Sequence, residues 1–382
     1  MTASAPTPAL DGVRVLDLSR MLPGAALTRL LADLGATIIK VERPGAGDEI
    51  RADGTPVEGT TGTHAFLDRG KQSVALDLKE PEAVATVLRL AATCDAVVES
   101  FRPGVADRLG VGYDALRAVN PAIVFCSVNG YGTGGPLERA AGHDLGYIAR
   151  AGVLNLGGTR ADGPGISGAQ LADTTGGALG AVGLLAALLR AQRTGQGDHI
   201  EVALADAALW AVGIHAANAF AGGADGPESS ALNGAAACYR VYRCADGLDL
   251  SVGALEARFW AQFVDVVGDD SWLERRFDAT LIPAVAARIA ERPRAEWLDL
   301  LAGLDVCVEP VLTFAEVAED EQFASRGMVV RGPAGEPRLG SPIRTGAPVP
   351  DLPGANPVVG GDTADVLGAL GANAPARGAT IS

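Results

Sequence analysis

VRVLDLS at 13–19 reads as a short apolar strand bounded by glycine and polar residues. PGAALTRLLADLG (23–35) follows with helix formers and a closing glycine, and ATIIKVE (36–42) is apolar and β-branched again. Strand, helix and strand within about 30 residues make a βαβ unit, whose crossover is expected to be right-handed. The pattern recurs: SVALDL (73–78) reads as a strand, PEAVATVLRLAATC (81–94) as a helix with Pro81 at its start, and DAVVES (95–100) and AIVFCSVNG (122–130) as two further strands. The expected class is α/β, with a large domain built on an open, mostly parallel, Rossmann-like sheet carrying helices on both faces.

The chain has 382 residues. Single cores rarely grow past ~250–300 residues, so more than one domain is expected. Residues 1–222 are expected to form the large domain, closing with an alanine–leucine helix from Gly168 to about Gln192 and a strand–helix stretch at 195–222. Composition turns to that of a linker at ADGPESS, and CYRVYRC, LDLSVGAL and ARFWAQFVDVVG predict a smaller α+β domain over 223–330. Residues 331–382 are rich in Pro and Gly up to a last helix at 362–371. So long a tail is expected to return to the large domain or to wrap a partner subunit.

A net charge of −15 argues against nucleic acid or an anionic membrane as partner. If the ligand is itself polyanionic, the cations that meet it must be concentrated in a few glycine-rich loops. Five scattered cysteines have no familiar zinc spacing, so no metal site is expected and the thiols read as reduced and packed. MTASAPTPALDG lacks a basic start and an apolar run, which argues against a secretory signal and for a cytoplasmic protein. The apolar stretch at 178–189 is too short to span a bilayer and reads as a buried helix, so no membrane insertion is expected. A nicotinamide cofactor is disfavoured as well. SRMLPGAA between the first strand and helix holds Gly24 alone, without the glycines that let backbone approach a pyrophosphate.

Few residues suit proton chemistry. His199 and His215 read as hydrogen-bonded structural imidazoles, and His64 has no obvious proton-handling neighbour. His143, in AAGHDLGYIARAG, follows a glycine turn and leads into a helix that Asp144 is placed to cap, with Tyr147 four residues on and so on the same face. Asp173 stands in the first turns of a long apolar helix before Gly176 and Gly177, as either a cap or an exposed carboxylate. Glu256, in SVGALEARFW, lies between a strand and an aromatic helix, where a carboxylate is stabilised by the dipole. Spacing does not decide whether the three meet.

With those residues in place, the chain resembles the class III coenzyme-A transferase fold family (CaiB/BaiF-like), and within it the α-methylacyl-CoA racemases. The resemblance runs through GVRVLDLSRMLPG, ADLGATIIKVERPGAGD, RGKQSVALDLK, FRPGVADRLGVGYDALRAVNPAIVFCSVNGYG, GHDLGY, QLADTTGGALGAVGLLAAL, YRCADG and SVGALEARFW. It implies two domains per chain in an interlocked homodimer. It implies His143 and Asp173 as the proton-transfer pair with Glu256 in support, and no cofactor beyond the coenzyme A of the thioester. Arg43 in VERPG and Arg102 in FRPG look like phosphate contacts, with Arg69 and Lys71 as further candidates and Asp144 and Tyr147 beside the ligand. Gly146 stands where the racemases commonly carry a larger residue.

The reaction implied is interconversion of (2R)- and (2S)-2-methylacyl-CoA. One residue takes the C2 proton while the other supplies a proton to the opposite face. An enolate oxygen must then be held by backbone N–H groups, with the GG after Asp173 and the Asp144 amide as candidates. The rival activities are an acyl-CoA:carboxylate CoA-transferase with Asp173 as nucleophile and a non-catalytic CoA-thioester binder. A protonated Asp173 requires burial or a neighbouring carboxylate such as Glu256 to raise its pKa.

Overall fold

The computed structural model describes residues 6–57, 59–332, 335–347 and 356–372. The chain divides into two units: 1–147, 170–211 and 322–382 form the first, and 148–169 with 212–321 the second.

The first unit is built on a six-stranded sheet. Its strands are β1 (Arg14–Asp17), β2 (Thr37–Glu42), β3 (Gln72–Ala75), β4 (Ala96–Glu99), β5 (Val124–Asn129) and β6 (Asp198–Ala203). They lie in the order β3-β2-β1-β4-β5-β6, every neighbouring pair parallel. The mostly parallel sheet expected from the opening βαβ pattern is therefore present. All residues of β4 and β5 are buried, as strands covered on both faces must be, while the edge strand β6 alternates.

Helix α1 (Met21–Asp33) joins β1 to β2, and α2 (Pro81–Ala91) joins β3 to β4. Val87, Leu90 and Ala91 of α2 enter one apolar cluster with Leu16, Ile39, Val97 and Phe125 of the sheet. After α3 (Asp144–Arg150), α4 (Leu171–Thr194) runs for 24 residues, longer than the apolar stretch at 178–189. By length and composition alone α4 is apolar enough to cross a bilayer, a test that the buried core helix of a globular protein also passes. Its small-residue face lies instead on α1. A Cβ at Gly177 would stand 2.8 Å from the Pro23 carbonyl oxygen, and one at Gly180 2.6 Å from Leu27 Cδ1. Glycine there allows the two helices their close approach.

Residues 356–372 belong to this unit as well. Asp362 accepts from the Ser73 N–H at 2.8 Å, and α6 (Thr363–Ala372) packs on β3. In the second unit β7 (Tyr239–Arg243), β8 (Asp249–Gly253) and β9 (Val308–Pro310) form an antiparallel sheet with β8 in the middle. Helix α5 (Ala257–Val267) contributes Trp260 and Phe263 to its core, with Trp297 fully buried beside them.

Candidate functional site

In an open parallel sheet, strands on either side of the first one send their connections to opposite faces, leaving a crevice beyond their carboxyl ends. Here that point falls between β1 and β4. A cleft of about 560 Å³ lies there, lined by Arg20 and Met21 after β1, Ser100 and Arg102 after β4, and Asn129, Gly130 and Tyr131 at the end of β5. His143, Tyr147 and Asp173 line the same cleft. Four of the residues singled out from the sequence thus meet in one place.

Asp173 reaches the cleft because it sits in the first turn of α4, whose N-terminus the α1 contact holds at this edge of the sheet. The N-cap Gln170 makes no side-chain cap. The Asp144 carboxylate supplies one, accepting the Asp173 N–H at 3.1 Å. Asp144, expected to cap its own helix, thus caps α4. Burial pushes the half-buried Asp173 carboxyl up to about 7, and the Asp144 charge adds to the rise. Of the two causes the sequence reading allowed, burial is the larger, and the carboxylate that adds to it is Asp144.

His143 immediately precedes α3, its carbonyl accepting from the N–H groups of Gly146 (2.8 Å) and Tyr147 (3.3 Å). Its side chain is exposed to the cleft. Tyr147 is buried, and it fits where a Cβ at Gly130 would lie 2.5 Å from its hydroxyl oxygen and one at Gly142 2.5 Å from its ring. Tyr131 meets that ring edge-on at 5.0 Å. Burial raises the Tyr147 phenol to about 12, so it stays a neutral hydroxyl.

Gly176 and Gly177 lie inside α4, past its first four residues, where N–H groups bond within the helix. They serve packing: a Cβ at Gly176 would stand 2.4 Å from Leu204 Cδ2. This removes them as oxyanion donors. Asp144, as the first residue of α3, still has an N–H without an intrahelical acceptor.

The expected phosphate contacts and Glu256 differ in their placement. Arg102 lines the cleft and is exposed, and Arg43 is exposed just past the carboxyl end of β2, on the same edge of the sheet. Lys71 is absorbed by the core. Its ammonium lies 2.6 Å from Asp68 and 3.3 Å from Asp17 and donates to Thr28 Oγ1 at 2.7 Å. Arg69 lines a different cleft, with Phe66 and Leu339, and donates to the Leu339 carbonyl at 3.4 Å. Glu256 is the exposed N-cap residue of α5 in the second unit, without a side-chain cap bond.

Sequence reasoning missed three residues at this edge: Arg20, Glu138 and Glu99. Glu138 lines the cleft. Glu99, at the end of β4, is buried, accepts from the Phe101 N–H at 2.6 Å and is pushed up to about 7 by desolvation. The signal for Arg20 and Glu99 was positional, since both lie at the carboxyl ends of the strands that flank the switch point.

Comparison with known proteins agrees with the family resemblance at its coarser level. The profile of CoA-transferase family III matches residues 10–363. The chain is 33% identical to mouse succinyl-CoA:glutarate CoA-transferase over 84% of its own length and 76% of that protein's. It is 32% identical to human alpha-methylacyl-CoA racemase over 84% and 82% of the two lengths. A CAIB/BAIF family protein from Brucella suis superposes with a TM-score of 0.84 at 29% identity, covering 96% of this chain and all of that one. Transferases and racemases resemble the chain about equally, so the narrower likeness to racemases is not singled out.

Proposed function

The chain belongs to CoA-transferase family III, and from that premise we propose that it moves the α-proton of a 2-methylacyl-CoA thioester between His143 and Asp173, interconverting the two C2 epimers. One observation carries this reading: an imidazole and a carboxyl group raised to about 7 line the same cleft. A carboxyl near 7 is protonated about half the time at neutral pH, so it can give or take a proton. Imidazole is the side chain whose ordinary range spans that pH. In one direction His143 takes the C2 proton and Asp173 delivers one to the opposite face. In the other the roles exchange.

The α-carbon is a poor acid. A mismatch of ten pKa units makes proton transfer uphill by ~14 kcal/mol, at ~1.36 kcal/mol per unit. The thioester carbonyl takes up the charge as an enolate, and the free N–H of Asp144 at the start of α3 is the donor proposed for that oxygen. The coenzyme's phosphates would lie along the carboxyl edge of the sheet toward Arg102 and Arg43, with remote binding energy positioning C2. Glu256 as a supporting acid, and a homodimer, belong to the same proposal. Val182, Leu189 and Trp210 of the first unit are more than 60% exposed, apolar surface of the kind a partner copy covers.

The names of the curated relatives favour a second reading, transfer of coenzyme A between acids, because succinyl-CoA:glutarate and acetyl-CoA:oxalate CoA-transferases are among them. Asp173 would then attack the thioester carbon and expel the coenzyme A thiolate, giving a mixed anhydride. Return of the thiolate to the Asp173 carbonyl would release the first acid and leave an aspartyl thioester, from which the acceptor acid takes coenzyme A by the reverse steps. Incubation of a 2-methylacyl-CoA in heavy water separates the two. Uptake of deuterium at C2 without an acid acceptor supports proton transfer. Acceptor-dependent exchange of coenzyme A with a trappable aspartyl thioester, and no uptake at C2, would overturn it.

A further inference from the structure

We infer that Arg20 is an anion-binding, specificity-determining residue of the cleft, exchanging its resident partner Glu49 for an oxyanion of the ligand. The inference rests on the reading that the cleft takes a CoA thioester. Arg20 and Arg102 are the cations among the residues lining the cleft, and Arg20 has no other role assigned.

Its side chain forms a two-pronged pair with Glu49, Nε to Oε2 at 3.1 Å and Nη2 to Oε1. That fork geometry matches a carboxylate or a phosphate equally. The pair is open to solvent, the two side chains being 56% and 46% exposed. Exposed pairs of this kind contribute little, so an incoming oxyanion can displace Glu49 at small cost.

The backbone beneath this exposed pair is over-determined. Ser100 Oγ accepts the Arg20 N–H at 2.8 Å and donates to the Arg20 carbonyl at 3.1 Å. Met21 holds a left-handed φ of 60°, unusual for a residue with a side chain, and its N–H donates to the buried Asp48 carboxylate at 3.2 Å. Lys40, itself buried, donates to the Ser19 carbonyl at 3.1 Å and pairs with Asp48 at 2.9 Å, holding the turn on both sides of Arg20. A strained backbone braced this heavily at the mouth of a cleft fits a turn selected to present one side chain. The oxyanion has two sources, a phosphate of the coenzyme or a carboxylate on the acyl group.

Calorimetric titration of coenzyme A, propionyl-CoA and succinyl-CoA into the full chain tests this with wild type, Arg20→Ala, Arg20→Lys and Glu49→Gln. Arg20→Ala should weaken binding about tenfold, and Arg20→Lys by less, because lysine keeps the charge without the fork. Glu49→Gln should tighten it about two- to fivefold by removing the competitor. An equal loss for all three ligands assigns the anion to the coenzyme's phosphates, whereas a loss for succinyl-CoA alone assigns it to the acyl carboxylate. Wild-type affinities in Arg20→Ala, or no tightening in Glu49→Gln, overturn the inference and leave the proposed function standing. Failure of the wild type to bind any of the three overturns both.

Discussion

The Asp173 N–H donates to the Asp144 carboxylate at 3.1 Å, so one acid caps the helix on which the other stands. The bond fixes the first turn of α4, and the charge behind it opposes ionisation of Asp173. Asp144→Asn separates these effects, because the amide oxygen can still accept the bond while the charge is gone. The Asp173 carboxyl should then titrate below its present value of about 7, stopping short of the ordinary range because burial persists. Carboxyl-carbon NMR across a pH series reads this directly, and an unchanged midpoint would assign the whole rise to burial.

The same shift has a consequence for stability. Asp173 has a folded pKa above its unfolded one, so its contribution is fully present below the ordinary carboxylate value of roughly 4 and is lost as pH rises through about 7. Glu99 behaves alike, with its carboxyl also near 7. Asp173→Asn and Glu99→Gln should therefore melt above wild type at about pH 8, with the gap closing toward about pH 4. Melting curves at those two pH values check the sign.

Lys71 yields a different expectation. Its ammonium stands between two buried carboxylates, Asp17 and Asp68. Removing one partner of a buried pair typically costs about 3–5 kcal/mol, because it strands the other charge. Lys71→Met should lower stability by that order in denaturant titration, with coenzyme A affinity of the folded fraction unchanged. A specific loss of affinity at normal stability would return Lys71 to the ligand.

The βαβ opening was legible because each strand and helix carries its own periodicity. The strand read at 36–42 forms at Thr37–Glu42, and the helix read at 23–35 forms at Met21–Asp33. The cleft was legible only in part. His143 and Tyr147 lie within one turn of each other, but Asp173 joins them through the packing of α4 on α1, which depends on Gly177 and Gly180 meeting residues some 150 positions earlier. Lys71 was named as a phosphate candidate only through the family resemblance, and its buried ion pairs were not legible locally. Its partner Asp17 is 54 residues away in sequence and next to it only once β1 and β3 share a sheet. Arg20 was overlooked because nothing local distinguishes it. Its significance comes from the strand order, which places β1 beside β4.

The account stands on His143 and Asp173 acting on opposite faces of one carbon, and racemisation of an enantiopure 2-methylacyl-CoA by single variants tests it most directly. His143→Ala and Asp173→Ala should each keep the wild-type fold by circular dichroism and lose racemisation by about 10²–10⁴-fold, the usual worth of a positioned acid or base. Racemisation at the wild-type rate in both variants would contradict it.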